Sequence, residues 1–184
     1  PFYGMSFVDT LYRGSLILVF LAAGILLMIL SRSPYRELAA VFIADEKGNL
    51  TISGFGGASQ NVVKRAMKSF EYPVISGITG HVFKTGESIV VNDVLLDDRY
   101  RSIKGWQAGS EMCVAIRDGV KILGILDVES SSRNAFTHND FMALESLAGI
   151  LASVITSADQ YQRLEVTINQ LRSMTSGRAV FSME

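Results

Sequence analysis

One cysteine, two histidines and one tryptophan occur in 184 residues. The lone Cys113 excludes an intramolecular disulfide and any cysteine-based zinc cluster. His81 and His138 have no Cys, Asp or second His at ligand spacing, so neither metal nor haem is expected. Excess charge is missing too. Lys+Arg 17 against Asp+Glu 18 gives a net charge of −1, which offers nucleic acid no electrostatic footprint. No Ser/His/Asp arrangement, phosphate-cradling glycine loop or supported carboxylate pair is present, and Gly54, Gly56 and Gly57 look like turn punctuation. The expectation is no enzyme and no cofactor.

What is present is unevenly distributed. Residues 14–31 form an apolar run without one charged side chain. As a helix it reaches roughly 27 Å at about 1.5 Å per residue, close to the ~30 Å hydrocarbon thickness of a bilayer. Tyr12 and Tyr35 flank it where interfacial aromatics belong, and Arg13, Arg32 and Arg36 can snorkel. The reading is one transmembrane helix, since the run meets Ser-Arg-Ser-Pro without the small-residue cleavage site a signal peptide needs. The flanking arginines lean toward a cytoplasmic position for the domain on its C-terminal side. Pro1 fits a chain whose initiator methionine has been removed.

Ser33-Pro34 reads as a helix start, 37–44 and 50–54 as strands around the turn Asp45-Glu-Lys-Gly-Asn49, and 59–70 as an amphipathic helix with Lys64, Arg65 and Lys68 on a solvated face. A short helix over 78–84 ends at Gly86, a strand covers 88–91, and a long loop runs from Asp93 to Ser110. Next come two apolar runs, Ser110 to Asp118 and Gly119 to Glu129, joined by Asp118-Gly119. That dipeptide predicts a two-residue hairpin turn. Cys113 then faces Gly124, and Met112, Val114, Leu123 and Ile125 share one side of a strand pair covered on both faces. Thr137 and Asp140 form a capping-box start for a helix whose apolar positions, including Leu144, Leu151, Val154, Tyr161 and Leu171, continue to about Met174.

The segments Gly77-Ile-Thr-Gly80 through Gly86 to Asp93, then Ser110-Glu111 through Val128-Glu129-Ser130, then Asn134-Ala-Phe136-Thr-His-Asn-Asp140-Phe141 before an apolar helix, resemble a GAF domain over about 37–158. The resemblance implies an α/β (α+β) module, an antiparallel sheet with helices on one face and a small-molecule pocket under loops on the other. The expected organisation is a flank (1–13), a transmembrane helix (14–31), a GAF-like domain (32–158) and an extended terminal helix with tail (159–184). Among subgroups, methionine sulfoxide reductases use several cysteines, and one cannot both attack and resolve. Bilin-binding relatives need a Cys beside a His. Cyclic-nucleotide relatives carry an Asn-Lys pair and a Phe, three residues, Asp-Glu pattern; this chain keeps Phe136 and Asp140 but has Phe141 for Glu and no Asn-Lys.

The candidate ligand residues are Asp93, Arg99, Tyr100, Trp106, Met112 and Asp127. Trp106 serves equally as a pocket wall or a partner anchor. Asp127, on an apolar strand face, needs a partner that a helix start, Arg99 or a ligand would supply. Cys113 reads as a packing residue. Asp97-Asp98 beside Arg99 and Arg101 reads as a solvated, ion-paired turn. The overhang bearing Tyr161, Leu164, Ile168 and Leu171 expects the same helix of a second copy in a coiled coil, or another subunit. Two functions are expected. The first is a non-catalytic accessory subunit of a larger membrane complex, photosynthetic or respiratory complexes being plausible hosts. The second is a membrane-anchored small-molecule sensor acting through its terminal helix on a separate output protein.

Overall fold

A computed structural model describes residues 37–45, 47–56, 76–102 and 106–180. The transmembrane reading of 14–31, the connector at Ser33-Pro34 and the amphipathic helix over 59–70 lie outside the described residues. The elements are β1 (Glu37–Ala44), β2 (Leu50–Gly56), α1 (Gly77–Thr85), β3 (Ile89–Val91), β4 (Ser110–Asp118), β5 (Lys121–Ser130) and α2 (His138–Val180). The strands form one antiparallel sheet in the order β2-β1-β5-β4-β3. The β4–β5 hairpin is therefore central, as two-sided apolar runs require.

Its register differs from the sequence expectation by two residues at the turn and by three beyond a bulge. Asp118 pairs with Lys121, so the turn is Gly119-Val120, with Gly119 at φ 57°. A bulge between Ile116 and Arg117 then sets Ile116 opposite Gly124 and Cys113 opposite Asp127. Because strand side chains alternate, this slip moves Ile125 and Asp127 to the face of Cys113 and Ala115.

Two cores result. On one face Met112, Val114, Ile116, Leu126 and Val128 pack with Leu144, Ala148, Leu151 and Ala152 of α2. On the other, Cys113, Ala115 and Ile125 join Ala40, Phe42 and Leu50 beneath Ile78 and Val82 of α1 and Val94 and Ala108 of the loops. Helix α2 starts at the expected box: the Thr137 backbone N–H donates to Asp140 Oδ2 at 2.7 Å, and the Asp140 N–H donates to Thr137 Oγ1 at 3.3 Å. Among the described residues, 138–174 is the one helix long and apolar enough to cross a membrane, by length and composition only. Its apolar first half is the part seated on the sheet.

Candidate functional site

Three acidic residues occupy alternate positions in the central strands, on the face away from α2. Glu111 pairs in register with Glu129, and Asp127 with Cys113 on one side and Ala40 on the other. All three are buried, at 4%, 4% and 6% exposure. The loop after β3 closes over them. Asp93 caps a 3₁₀ turn at Val94–Leu96 and pairs with Arg133 at 3.2 Å; the Arg99 guanidinium grips both oxygens of Asp97 at 2.9 and 2.6 Å. The Tyr100 hydroxyl accepts from the Ala108 N–H at 3.0 Å. Gly109 lies so near the backbone that a Cβ there would sit 2.6 Å from the Ser132 carbonyl carbon. Trp106 is thereby pressed into its own domain, and its indole N–H donates to Glu129 Oε2.

Burial dominates the electrostatics. Loss of solvation pushes Asp127 up to about 7 and Glu129 to about 8, the latter raised further by the Asp127 charge and restrained by the indole donor. Glu111 is driven well above its ordinary value by burial and by its two acidic neighbours. A hydrogen bond from protonated Glu111 draws Asp127 back down, yet Asp127 Oδ1 is buried with no partner among the described residues. The Tyr100 phenol, desolvated beside these charges, rises to about 12. Among the described residues no ion pair reaches the three carboxyls.

The expected site residues divide accordingly. Trp106 and Asp127 converge, and Tyr100 lies among the roof residues. Asp93 and Arg99 instead brace the loop through Arg133 and Asp97, which is the ion-paired turn expected there. Met112 is corrected: it points into the α2 core, because β4 side chains alternate and Glu111 and Cys113 take the other face. Glu111 and Glu129 were missed. Their signal was acids at alternate positions in otherwise apolar strands, which the slipped register did not bring together.

Glu111, Cys113 and Asp127 offer ligand atoms within 4.8 Å of one another, so the set could hold a metal ion. Burial and the three neighbouring acids hold the Cys113 thiol well above its ordinary range, which opposes thiolate ligation and nucleophilic attack alike. A separate cleft of about 760 Å³ lies at the other end of the hairpin, between Asp118, Lys121 and the Asp159–Arg163 stretch of α2. Its charged groups are surface groups.

Trp106→Phe keeps the apolar wall but removes the donor to Glu129. Stability should fall by about 1–3 kcal/mol, the usual cost of leaving a buried acceptor unmade. Denaturant titrations should show a larger loss at pH 9, where Glu129 is charged, than at pH 6.

The GAF domain profile matches residues 26–156. The chain belongs to the GAF family. The five-stranded sheet with its long terminal helix is the GAF fold. Among solved structures, the GAF domain is similar to the type II free methionine-R-sulfoxide reductase of Thermoplasma acidophilum, with TM-score 0.66, 18% identity, and coverage of 80% of this chain and 96% of that one. It is similar to the free methionine-R-sulfoxide reductase of Neisseria meningitidis in complex with its substrate, with TM-score 0.65, 20% identity and coverage of 80% and 81%. A third is the GAF domain region of a protein assigned to the membrane in Geobacter sulfurreducens PCA, with TM-score 0.65, 24% identity and coverage of 82% and 99%. No curated protein matches. These likenesses correct one expectation. Non-enzyme status was read from missing catalytic motifs, whereas GAF domains of this shape include reductases, so the fold does not exclude catalysis.

Proposed function

We propose that this GAF domain is a receptor for a small organic cation, an ammonium of the free amino acid type, bound at Glu111, Asp127 and Glu129. The observation that carries this reading is Asp127 Oδ1, without a partner among the described residues and buried within a group of three carboxyls. Buried charge is tolerated when it is paired, and an ammonium presents three donors to three acids. Trp106 closes the group on one side, its N–H edge turned to Glu129. An ammonium fits better than a metal ion, because metal ligands are normally oriented by outer hydrogen bonds and Cys113 has burial and charge against its ionisation. The Neisseria relative, held with its substrate, makes methionine sulfoxide a sensible first probe, since that molecule carries an α-ammonium. Residues 14–31 supply the membrane anchor in this proposal, and α2, packed across β4 and β5, carries the response to a separate output protein. The alternative role, a subunit docked in a larger membrane complex, is favoured by the exposed apolar residues of α2.

Titration calorimetry of the full chain in detergent, with amino acids including methionine sulfoxide and with their des-amino analogues, tests the ligand class. Compounds bearing the amine should bind and the analogues should not. Affinity should rise about tenfold or more from pH 6 to pH 8, because the cation needs ionised carboxylates that burial holds near 7 and 8. Equal binding of des-amino analogues, or a requirement for added divalent metal, would exclude the proposal. Release of methionine from the sulfoxide under a thiol reductant would identify the site as catalytic.

A further inference from the structure

Two leucines stand out from the loop that closes over the three acids. Val94–Leu96 is a 3₁₀ turn capped by Asp93, whose carboxylate accepts from the Leu95 N–H at 3.2 Å. Val94 is buried in the core, while Leu95 is 55% and Leu96 83% exposed. A single exposed leucine is ordinary on a protein surface, so the place of this pair carries the meaning. One run of backbone contacts fixes that place. The Val94 N–H donates to the Gly109 carbonyl at 3.0 Å, the Gly109 N–H donates to the Ser130 carbonyl at 2.7 Å, and Ser130 pairs with Glu37. The leucines therefore lie at the end of the sheet where β1 begins. The opposite end holds the β4–β5 turn and, through the Thr156 hydroxyl donating to Asp118 at 3.0 Å, the middle of α2.

We propose that Leu95 and Leu96 seat this end of the domain in the surface of the bilayer that holds residues 14–31. The inference rests on the membrane-anchor reading of that run, and chain length supplies the geometry. Only residues 32–36 separate the run from Glu37, a span of roughly 20 Å at full extension. Strand β5, Lys121–Ser130, is about 30 Å long at about 3.3 Å per residue. A domain resting on its hairpin turn would lift Glu37 beyond that reach, so the leucine end is the one held at the membrane. Charge permits the approach. The acids on either side of the turn are neutralised, Asp93 by Arg133 at 3.2 Å and Asp97 by Arg99 at 2.6 Å. Asp98 and Arg101, both exposed, follow and offset one another. Among the described residues the turn carries no cationic excess, so the contact is by hydrocarbon and a zwitterionic lipid suffices. Two side chains would hold a free domain only briefly, but the tether makes the contact intramolecular, at an effective concentration of about millimolar. The loop over Glu111, Asp127 and Glu129 then has lipid against its outer surface.

Spin labels on single cysteines, in the full chain reconstituted into phosphatidylcholine vesicles, read the seating; Cys113 is buried and stays unlabelled. A label at Leu96→Cys should collide with lipid-soluble oxygen more than with an aqueous nickel chelate. A label at Val120→Cys, on the fully exposed hairpin turn, should show the reverse. Ala22→Cys tests the anchor by itself and should be shielded from the chelate. An aqueous label at 96 beside a lipid-facing one at 22 would overturn the docking and leave the anchor standing. An aqueous label at 22 would overturn both, and lipid contact at 120 would overturn the orientation. Because a nitroxide is itself apolar, the unlabelled chain supplies a second readout. In the same vesicles, amide hydrogen exchange over residues 94–98, corrected for intrinsic rates, should be about tenfold faster in Leu95→Asp/Leu96→Asp than in the native chain, and unchanged over residues 119–121. Equal exchange over 94–98 in the two chains would overturn the proposal.

Discussion

Without ligand, Asp127→Asn is expected to be more stable than the native chain at pH 8 and less stable at pH 5. Asp127 titrates near 7 when folded against an ordinary 3.8, so between those values the folded state holds a proton the unfolded chain has released. Stability from this group is therefore complete below about pH 4 and is lost as pH rises to about 7, with Glu129 extending the decline toward 8. Burying the carboxylate costs on the order of 4 kcal/mol at about 1.4 kcal/mol per pKa unit. An unpartnered amide costs roughly 1–3 kcal/mol at any pH. The difference leaves a gain of about 1–3 kcal/mol at pH 8 and a loss at pH 5, where the native acid is neutral. Urea titrations at the two pH values check the crossing. The same substitution should abolish amine binding, separating a site kept for a ligand from a residue kept for stability.

Gly124→Ala should be the most damaging added methyl among the described glycines. A Cβ at Gly124 would sit 2.2 Å from the Phe42 carbonyl oxygen, at the Ile43–Gly124 end of the β1–β5 pairing. No side-chain movement relieves a clash with backbone, so two central strands must part. The cost belongs in the exceptional class, about 4 kcal/mol or more. For a chain of this size that is a fall of roughly 8–16 °C in melting temperature. Gly149→Ala, in α2 with nothing within 4 Å of the added carbon, is the matched control. It should stabilise by up to about 1 kcal/mol through helix propensity alone. Scanning calorimetry of both variants distinguishes a packing requirement at Gly124 from a general intolerance of added volume.

Much of the fold was legible because its signals are local. The strands at 37–44 and 88–91, the short helix before Gly86 and the Thr137–Asp140 start of α2 each lie within two residues of where period and capping chemistry put them. The site was less legible, and one residue explains why. Asp118-Gly119 is a strong turn signal, but the turn closes one residue later at Gly119-Val120, and the bulge at Ile116/Arg117 then changes which side chains share a face. In the slipped register Met112 and Asp127 share a face, and so both were expected at the pocket. In the true register Asp127 joins Glu111, Cys113 and Glu129, and Met112 joins the α2 core. The Trp106–Glu129 contact spans 23 residues across a loop without periodicity, and no local pattern announces it. On α2 the inner and outer stripes overlap in sequence, and only the burial of Leu151 beside the exposure of Ile150 separates them.

The two faces of the central hairpin connect the readings of this GAF domain. A cation drawn between Glu111, Asp127 and Glu129 changes the charge on one side of β4 and β5, while α2 rests on the other side of the same strands. A ligand that bound more tightly to one packing of α2 than to another would shift the population of the two by that difference in affinity. The central claim is that the site holds acids whose charge awaits a partner. Carbon-13 NMR of the Asp127 side-chain carboxyl, followed from pH 4 to pH 9 in the full chain, tests this directly. A midpoint near 7 without ligand, moving down when an amino acid binds, is the expected result. A midpoint near the ordinary 3.8 in the unliganded chain would contradict it, because the carboxylate would then already have its counter-charge.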